Sequence, residues 1–295
     1  MLDTVRLSVQ VRGVTCGDLL RRGWDIYTKT NALQGSGDVW GSCSMNDVRL
    51  GYMAGLGWLT AETSLPAVVA GDNATLLDWQ ACGQGLEFMR GASMDAAGVE
   101  LPELDEWRVT RCDAVWAWPV DPSHYIAALR FARLPRTQAR GYESSVDWVT
   151  CRGHRVRARF YNKAVEKGHR VQLPARLERQ TRPRREVVRL DGERLGCRVK
   201  DLDAGAVIGL LKGTMSDLGL DRAIPSVLGL REQLVETHGV RRGRNLFHVL
   251  LECRAFNGWP GDLSKDTIRR YQRQLREAGV KAVSMDGELP ALELE

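Results

Sequence analysis

Arg155-Val-Arg-Ala-Arg-Phe-Tyr-Asn-Lys163 is the stretch on which the reading of this chain turns. In an extended segment successive side chains alternate between faces. Arg155, Arg157, Arg159, Tyr161 and Lys163 then share one face, and Val156, Ala158 and Phe160 share the other. The apolar row belongs against a core, while the basic row puts several cations and one phenol on a common surface suited to a polyanion. Two meanings stay open on this stretch alone: a half-buried strand with a solvated basic face, or a strand that meets a phosphate backbone.

The neighbouring sequence extends the strand pattern in both directions. Ser144 to Thr150 and Val156 to Lys163 flank Cys151-Arg-Gly-His154 at hairpin spacing, and Ala175 to Arg182 forms a further strand that Pro183 ends. Trp107 to Trp118 reads as a strand, as do residues 2 to 12, Val48 to Tyr52 and Gly57 to Thr63, the last two joined by a Gly-rich turn. Pro66 to Ala70 reads as a short apolar strand entering the turn Gly71-Asp-Asn73, with Asp72 or Asn73 capping a helix from Ala74 to Arg90. Gly91 to Leu104 reads as a loop, and Pro122 to about Arg133 as a second helix. Residues 13 to 46 give no clear element. This order predicts an α+β fold with a largely antiparallel central sheet flanked by helices. After Lys200 the strand signal fades, and Asp201 to Leu220 and Pro225 to His238 read as helices. The expected division is a larger part, residues 1–205, and a smaller, mainly helical part, residues 206–295.

A chain of 295 residues, 43% hydrophobic and 27% charged, can bury a full core. It contains no apolar run approaching the roughly 18 residues of a membrane span, and Met1-Leu-Asp-Thr-Val-Arg6 lacks a basic-then-apolar signal. The expectation is a cytoplasmic protein without a membrane partner. Seven scattered cysteines, with no Cys-x-x-Cys pair, point to reduced thiols rather than a structural zinc site. The net charge is only +5, yet residues 151–200 hold sixteen Lys/Arg against five Asp/Glu. Such asymmetry points to a localised nucleic-acid face.

Three strand stretches each deliver a different functional group. Asp113 lies in the apolar strand that contains Val109, Glu178 lies in Arg176-Leu-Glu-Arg179, and Tyr161 supplies a phenol. Two carboxylates converging across a sheet suit a hard divalent cation, Mg²⁺ or Mn²⁺, which prefers oxygen ligands. A phenol with an ordinary pKa near 10 is ionised in only about one molecule in a thousand at pH 7. Arg159 and Lys163 beside it favour the phenolate and the charge that develops at a phosphate under attack. The plainer alternative is ion pairing, Asp113 with Arg111 and Glu178 with Arg176. His154 and His169 flank the tyrosine strand, but no His-x-His pair occurs.

With these residues the sequence resembles the filamentous-phage replication initiators of the gene II/X type and their relatives in plasmid rolling-circle replication. Pro66-Ala-Val-Val-Ala-Gly-Asp-Asn73 resembles that family's Lys-x-x-x-Gly-His-Asn segment, with Asp72 at the position of its His. Thr110-Arg-Cys-Asp113 is similar to its Arg-Ile-Asp strand, and Glu143-Ser-Ser-Val-Asp-Trp148 to its Ser-Thr-Val-x-Trp strand. Phe160-Tyr-Asn-Lys-Ala-Val-Glu166 is similar to its Tyr-x-Lys-x-x-Glu motif, and Ala175-Arg-Leu-Glu178 to its Arg-Phe-Glu strand. The resemblance implies a site-specific DNA nickase that starts rolling-circle replication. Tyr161 would then attack the origin strand, leaving a 5′-phosphotyrosyl link and a free 3′-OH primer, with Lys163 assisting at the phosphate. Asp113, Glu178, Glu166 and Asp72 would be the metal-site carboxylates. The implied partners are origin DNA, single-stranded or supercoiled, and a host helicase.

The C-terminal region carries its own signal. Ser264 reads as the cap of a helix that Gly279 stops, with Ile268, Tyr271 and Leu275 on one face and Arg269, Arg270, Arg273 and Arg276 spread over the other. With Asn245 to Arg254 as the preceding helix, it reads as the recognition helix of a helix-turn-helix or winged helix, or as a basic helix packed for structure alone. Arg155, Arg157, Arg159, Arg269, Arg270 and Arg273 are the expected DNA contacts. A different class of function stays open: a non-catalytic DNA-binding protein, a repressor or origin-binding factor, favoured by Asp72 in place of the family's His.

Overall fold

The alternating stretches fold as antiparallel strands. The computed structural model describes residues 1–30, 37–150, 156–167, 171–181, 189–190, 193–194, 198–256 and 259–294. In chain order the elements are β1 Leu2–Gln10, α1 Cys16–Arg21, β2 Asp25–Thr30, β3 Gly37–Met45, β4 Val48–Met53, β5 Trp58–Ser64, α2 Leu65–Ala70, α3 Trp79–Ala97, β6 Arg108–Trp118 and α4 Pro122–Leu129. They continue with β7 Thr137–Gly141, β8 Ser145–Thr150, β9 Val156–Asn162, α5 Lys163–Lys167, β10 Ala175–Thr181, the two-residue strands β11 Arg189–Leu190 and β12 Glu193–Arg194, and then α6 Ala204–Leu218, α7 Arg231–His238, α8 Val240–Phe256 and α9 Lys265–Glu277. The fold is α+β, with a largely antiparallel sheet flanked by helices. Among the described residues no helix is long and apolar enough to cross a membrane.

The chain divides into two compact units, residues 1–115 with 180–209 and residues 116–179 with 210–295. In the first unit the strands lie in the order β2-β3-β4-β5-β1-β6. Leu7 stands opposite Ala61 and Val5 opposite Cys112, so the apolar rows of three strands register on the buried side. Residues 66–70, expected as a strand, lie in α2 instead. Pro66 sits in the first turn, where a missing N–H is tolerated, and Gly71 at φ 75° ends the helix in the left-handed region. The next helix starts later than expected, because Asp78 rather than Asp72 or Asn73 is its cap, its Oδ1 accepting from Ala81 N at 2.7 Å. It also runs on past Gly91, since Met89, Ala92, Ser93 and Ala96 continue one buried stripe to the stop at Gly98. Residues 13 to 46, which showed no clear element, contain α1, β2 and β3.

The second unit holds β10-β9-β8-β7, again antiparallel. Phe160 points from β9 into the core, its ring 6.4 Å from that of Trp118 and 6.2 Å from that of Tyr125 on α4. That helix stops at Leu129, short of Arg133, and β7 follows it where the sequence showed no strand. A second apolar cluster gathers Leu230, Leu234, Leu246, Leu250, Leu275 and Val283 from α7, α8, α9 and the segments beside them. Ser264 caps α9 as expected, its Oγ accepting from Thr267 N at 3.2 Å, and Gly279 has φ 76°.

Candidate active site

The β9 strand builds this site because its two faces meet different surroundings. Ala158 and Phe160 are buried under α4, so Arg157, Arg159 and Tyr161 take the opposite face. Register then sets their neighbours: Arg159 stands between Asp147 on β8 and Glu178 on β10, and Tyr161 between Ser145 and Arg176. Arg159 forms a two-pronged pair with Asp147, Nε to Oδ1 at 2.8 Å and Nη2 to Oδ2 at 2.9 Å. That hydrogen bonding, reinforced by the charges of Asp147, Glu178 and Tyr161, raises the arginine pKa further above its ordinary value.

Lys163 departs from the basic strand face expected of it. The strand ends at Asn162, whose Oδ1 accepts from Ala164 N at 3.0 Å, and Lys163 N donates to Pro174 O at 2.8 Å, so Lys163 opens α5. It is 2% exposed and its Nζ donates to Glu166 Oε2 at 2.7 Å. Tyr161 is buried too, at 7% exposure, with Arg159 Cζ 5.9 Å and Lys163 Nζ 5.7 Å from its ring centre. Both cations are close enough for a favourable contact with the ring. Tyr161, Arg159, Asp147, Glu166, Asn162 and the half-exposed Tyr142 line one pocket of about 520 Å³. Asp147 and Asn162 were missed. Asp147 had a signal of its own, a carboxylate between Val146 and Trp148 in an otherwise buried strand.

Asp113 lies in the first unit and is 1% exposed. Glu62, Arg6 and Arg111 stand side by side on β5, β1 and β6, with Asp113 two residues further along β6. Arg111 donates Nη1 to Glu62 Oε1 at 3.1 Å and Nε to Asp113 Oδ1 at 3.1 Å, and a second prong joins its Nη2 to Asp113 Oδ2. Arg6 pairs with the same Glu62. Burial nevertheless pushes the Asp113 carboxyl up to about 6, against the opposing pull of Arg111. Asp72 is exposed and closes a turn, its Oδ1 accepting from Ala74 N at 2.7 Å and Thr75 N at 2.8 Å.

Among the described residues no group of three or more His, Cys, Asp or Glu side chains is placed to hold a metal ion. Asp113 pairs with Arg111, Glu166 with Lys163, and Asp72 with backbone amides of its own turn. His154, His169 and Arg155 fall outside the described residues. Of the other expected DNA contacts, Arg157 is half-buried, and Arg269, Arg270 and Arg273 are exposed on α9, two of them paired within the helix to Asp266 and Glu277. Five cysteines, Cys16, Cys43, Cys82, Cys112 and Cys253, are free thiols.

No family model matches the chain, and no curated protein sequence matches it. Among solved structures it is similar to a rolling circle replication initiator protein from Geobacillus stearothermophilus, at 13% identity and a TM-score of 0.31, over 62% of this chain and 73% of that one.

Proposed function

We propose that this chain cuts one DNA strand through Tyr161 and holds the cut end covalently, priming rolling-circle replication at an origin. The observation that carries this reading is the Tyr161 ring, set in a pocket with Arg159 and Lys163 each within 6 Å of its centre. The phenolic oxygen bonds to phosphorus, its proton leaves, and the P–O3′ bond breaks. The products are a 5′-phosphotyrosyl link and a strand end that takes up a proton as a 3′-OH. Arg159 orients the phosphate from a fixed position, because Asp147 locks its fork. Lys163 is buried with its Nζ 5.7 Å from the ring centre and shared with Glu166, so part of its charge is left to favour the phenolate. In this reading residues 1–205 supply the cutting and residues 206–295, through α9, grip the origin.

A divalent cation belongs to the proposal as a cofactor that would arrive with the DNA. Mg²⁺ is commonly held by one or two carboxylates plus substrate phosphate, and would neutralise charge there. Supercoiled origin plasmid incubated with protein and Mg²⁺ or Mn²⁺ should become nicked and carry covalent protein, and EDTA should stop it. If Tyr161→Phe still nicks and still forms the adduct, the nucleophile is another residue.

A non-catalytic DNA-binding protein is the second reading, favoured by Asp72, which stands in place of the family's His and whose carboxylate accepts from Ala74 N and Thr75 N in its own turn. It predicts origin binding that survives EDTA, with no adduct under any metal.

A further inference from the structure

A second pocket, of about 240 Å³, lies beside α9 in the same unit as Tyr161. Its floor is apolar, made by Ala132, Ala139, Ile268 and Trp259, whose ring stacks on Tyr271 at 6.1 Å. Its rim is cationic, with Arg133, Lys265 and Arg269. Arg269 reaches the exposed Asp266 at 3.1 Å, while Arg133 and Lys265 have no carboxylate partner among the described residues. Like charges crowd this corner: burial, and then the neighbouring Arg133 and Arg273, hold the nearby Arg276 guanidinium below its ordinary range. Trp259 Nε1 is buried with no hydrogen-bond partner among the described residues.

The two pockets are linked through the chain's own bonds. Arg130 lines the α9 pocket and donates Nη2 to the carbonyl of Tyr142 at 2.9 Å, and Tyr142 lines the Tyr161 pocket. Uncompensated cations over an apolar floor call for a ligand that is anionic at one end and flat and apolar at the other. A nucleotide has that chemistry, but its base reaches such a floor only when unpaired and out of the stack.

We propose that the α9 pocket seats one unpaired nucleotide of the same DNA strand that Tyr161 cuts, with its base on the Trp259 floor, its phosphate on the Arg133 and Lys265 rim, and the strand passing over Tyr142. The proposal rests on the nicking reading for the identity of the strand. It makes the pocket a feature that selects single-stranded over duplex DNA.

The test uses the full chain and a fluorescein-labelled oligothymidylate, with affinity read by anisotropy and covalent adduct scored separately on a gel. Two pocket variants are compared, Arg133→Glu with Lys265→Glu on the rim, and Ala139→Phe, which fills the floor without changing charge. Arg12→Glu with Arg49→Glu makes the same change in net charge on exposed residues of the other unit. Each pocket variant should weaken binding about tenfold or more, the control less than about threefold, and duplex of the same length should be affected by the floor variant no more than by the control. Unchanged single-strand affinity in Ala139→Phe overturns the nucleotide seat, as does equal competition by inorganic phosphate and thymidine monophosphate. Wild type that binds the oligonucleotide in this pocket yet forms no adduct with supercoiled origin plasmid and Mg²⁺ or Mn²⁺ sinks the Tyr161 chemistry and leaves the pocket standing. Wild type that does not bind it at all sinks the nucleotide seat, whatever the plasmid assay shows.

Discussion

Arg159 and Lys163 approach the same ring but are held in different ways, and their substitution should separate. The Arg159 side chain is 43% exposed whereas Asp147 is only 5% exposed, so Arg159→Ala leaves a buried carboxylate without its fork. The expected loss is about 1–3 kcal/mol of stability by urea unfolding, together with lost nicking. Arg159→Lys should recover part of the stability, since the charge returns without the two-pronged geometry. Asp113 makes a second residue-scale prediction. Its folded carboxyl, pushed up to about 6 from 3.8, binds a proton more tightly than in the unfolded chain. Its contribution to stability is therefore fully present below about pH 4 and is lost as pH rises through about 6. Asp113→Asn should flatten the melting temperature against pH across that window relative to wild type, and parallel curves would count against the assignment. The sequence already offered the Asp113–Arg111 pair as an alternative, because two residues apart on a strand means one face. The Arg159–Asp147 pair needed the register of β8 against β9, which alternation in either strand alone does not determine.

At the scale of elements, the strands with clean alternation, β4, β5, β6, β8, β9 and β10, were legible within a residue or two, and so was α9, with a serine cap and a glycine stop. The misread element, α2, is short and apolar, and such a run suits a strand and a buried helix equally until its neighbours are known. Here the neighbour is α3: a Cβ on Gly85 would stand 3.0 Å from Leu65, so glycine lets the two helices touch. A tighter version of this contact joins α7 to α8, where a Cβ on Gly243 would meet the Leu234 carbonyl oxygen at 2.4 Å and Val235 Cα at 2.6 Å. These are backbone atoms and cannot rotate away. Gly243→Ala should force the helices apart and destabilise the protein by about 1–3 kcal/mol. Gly209→Ala in α6, with nothing within 4 Å of its Cβ, should stabilise by about 0.5–1 kcal/mol, through better helix propensity and a less flexible unfolded chain. Thermal unfolding of the two variants side by side separates close approach from glycine's general effect, and equal shifts would remove the packing argument for α7 and α8.

Each unit is assembled from two separate chain segments, an arrangement that no local window of sequence can express. Charge is a property of the whole chain that the sequence does express: a net +5 with sixteen Lys/Arg concentrated in residues 151–200. Structure narrows its meaning, because Arg159 is committed to Asp147 and Lys163 to Glu166, and neither charge is wholly free for DNA. The cations left to neutralise phosphates are then the unpaired or loosely paired ones, including Arg133, Lys265 and Arg270. Binding should accordingly be salt-sensitive, with the log–log slope counting these residues and not every arginine on β9. On single-stranded DNA the slope is about −0.7 per phosphate neutralised. Arg133→Gln and Lys265→Gln should each reduce the slope by roughly that amount, whereas Arg159→Gln, at a charge shared with Asp147, should reduce it by less while abolishing nicking. Affinity measured over a range of salt concentrations for the three variants tests this division between gripping and cutting cations. A slope that falls equally in all three would assign Arg159 to the DNA grip and take away its separate role beside Tyr161.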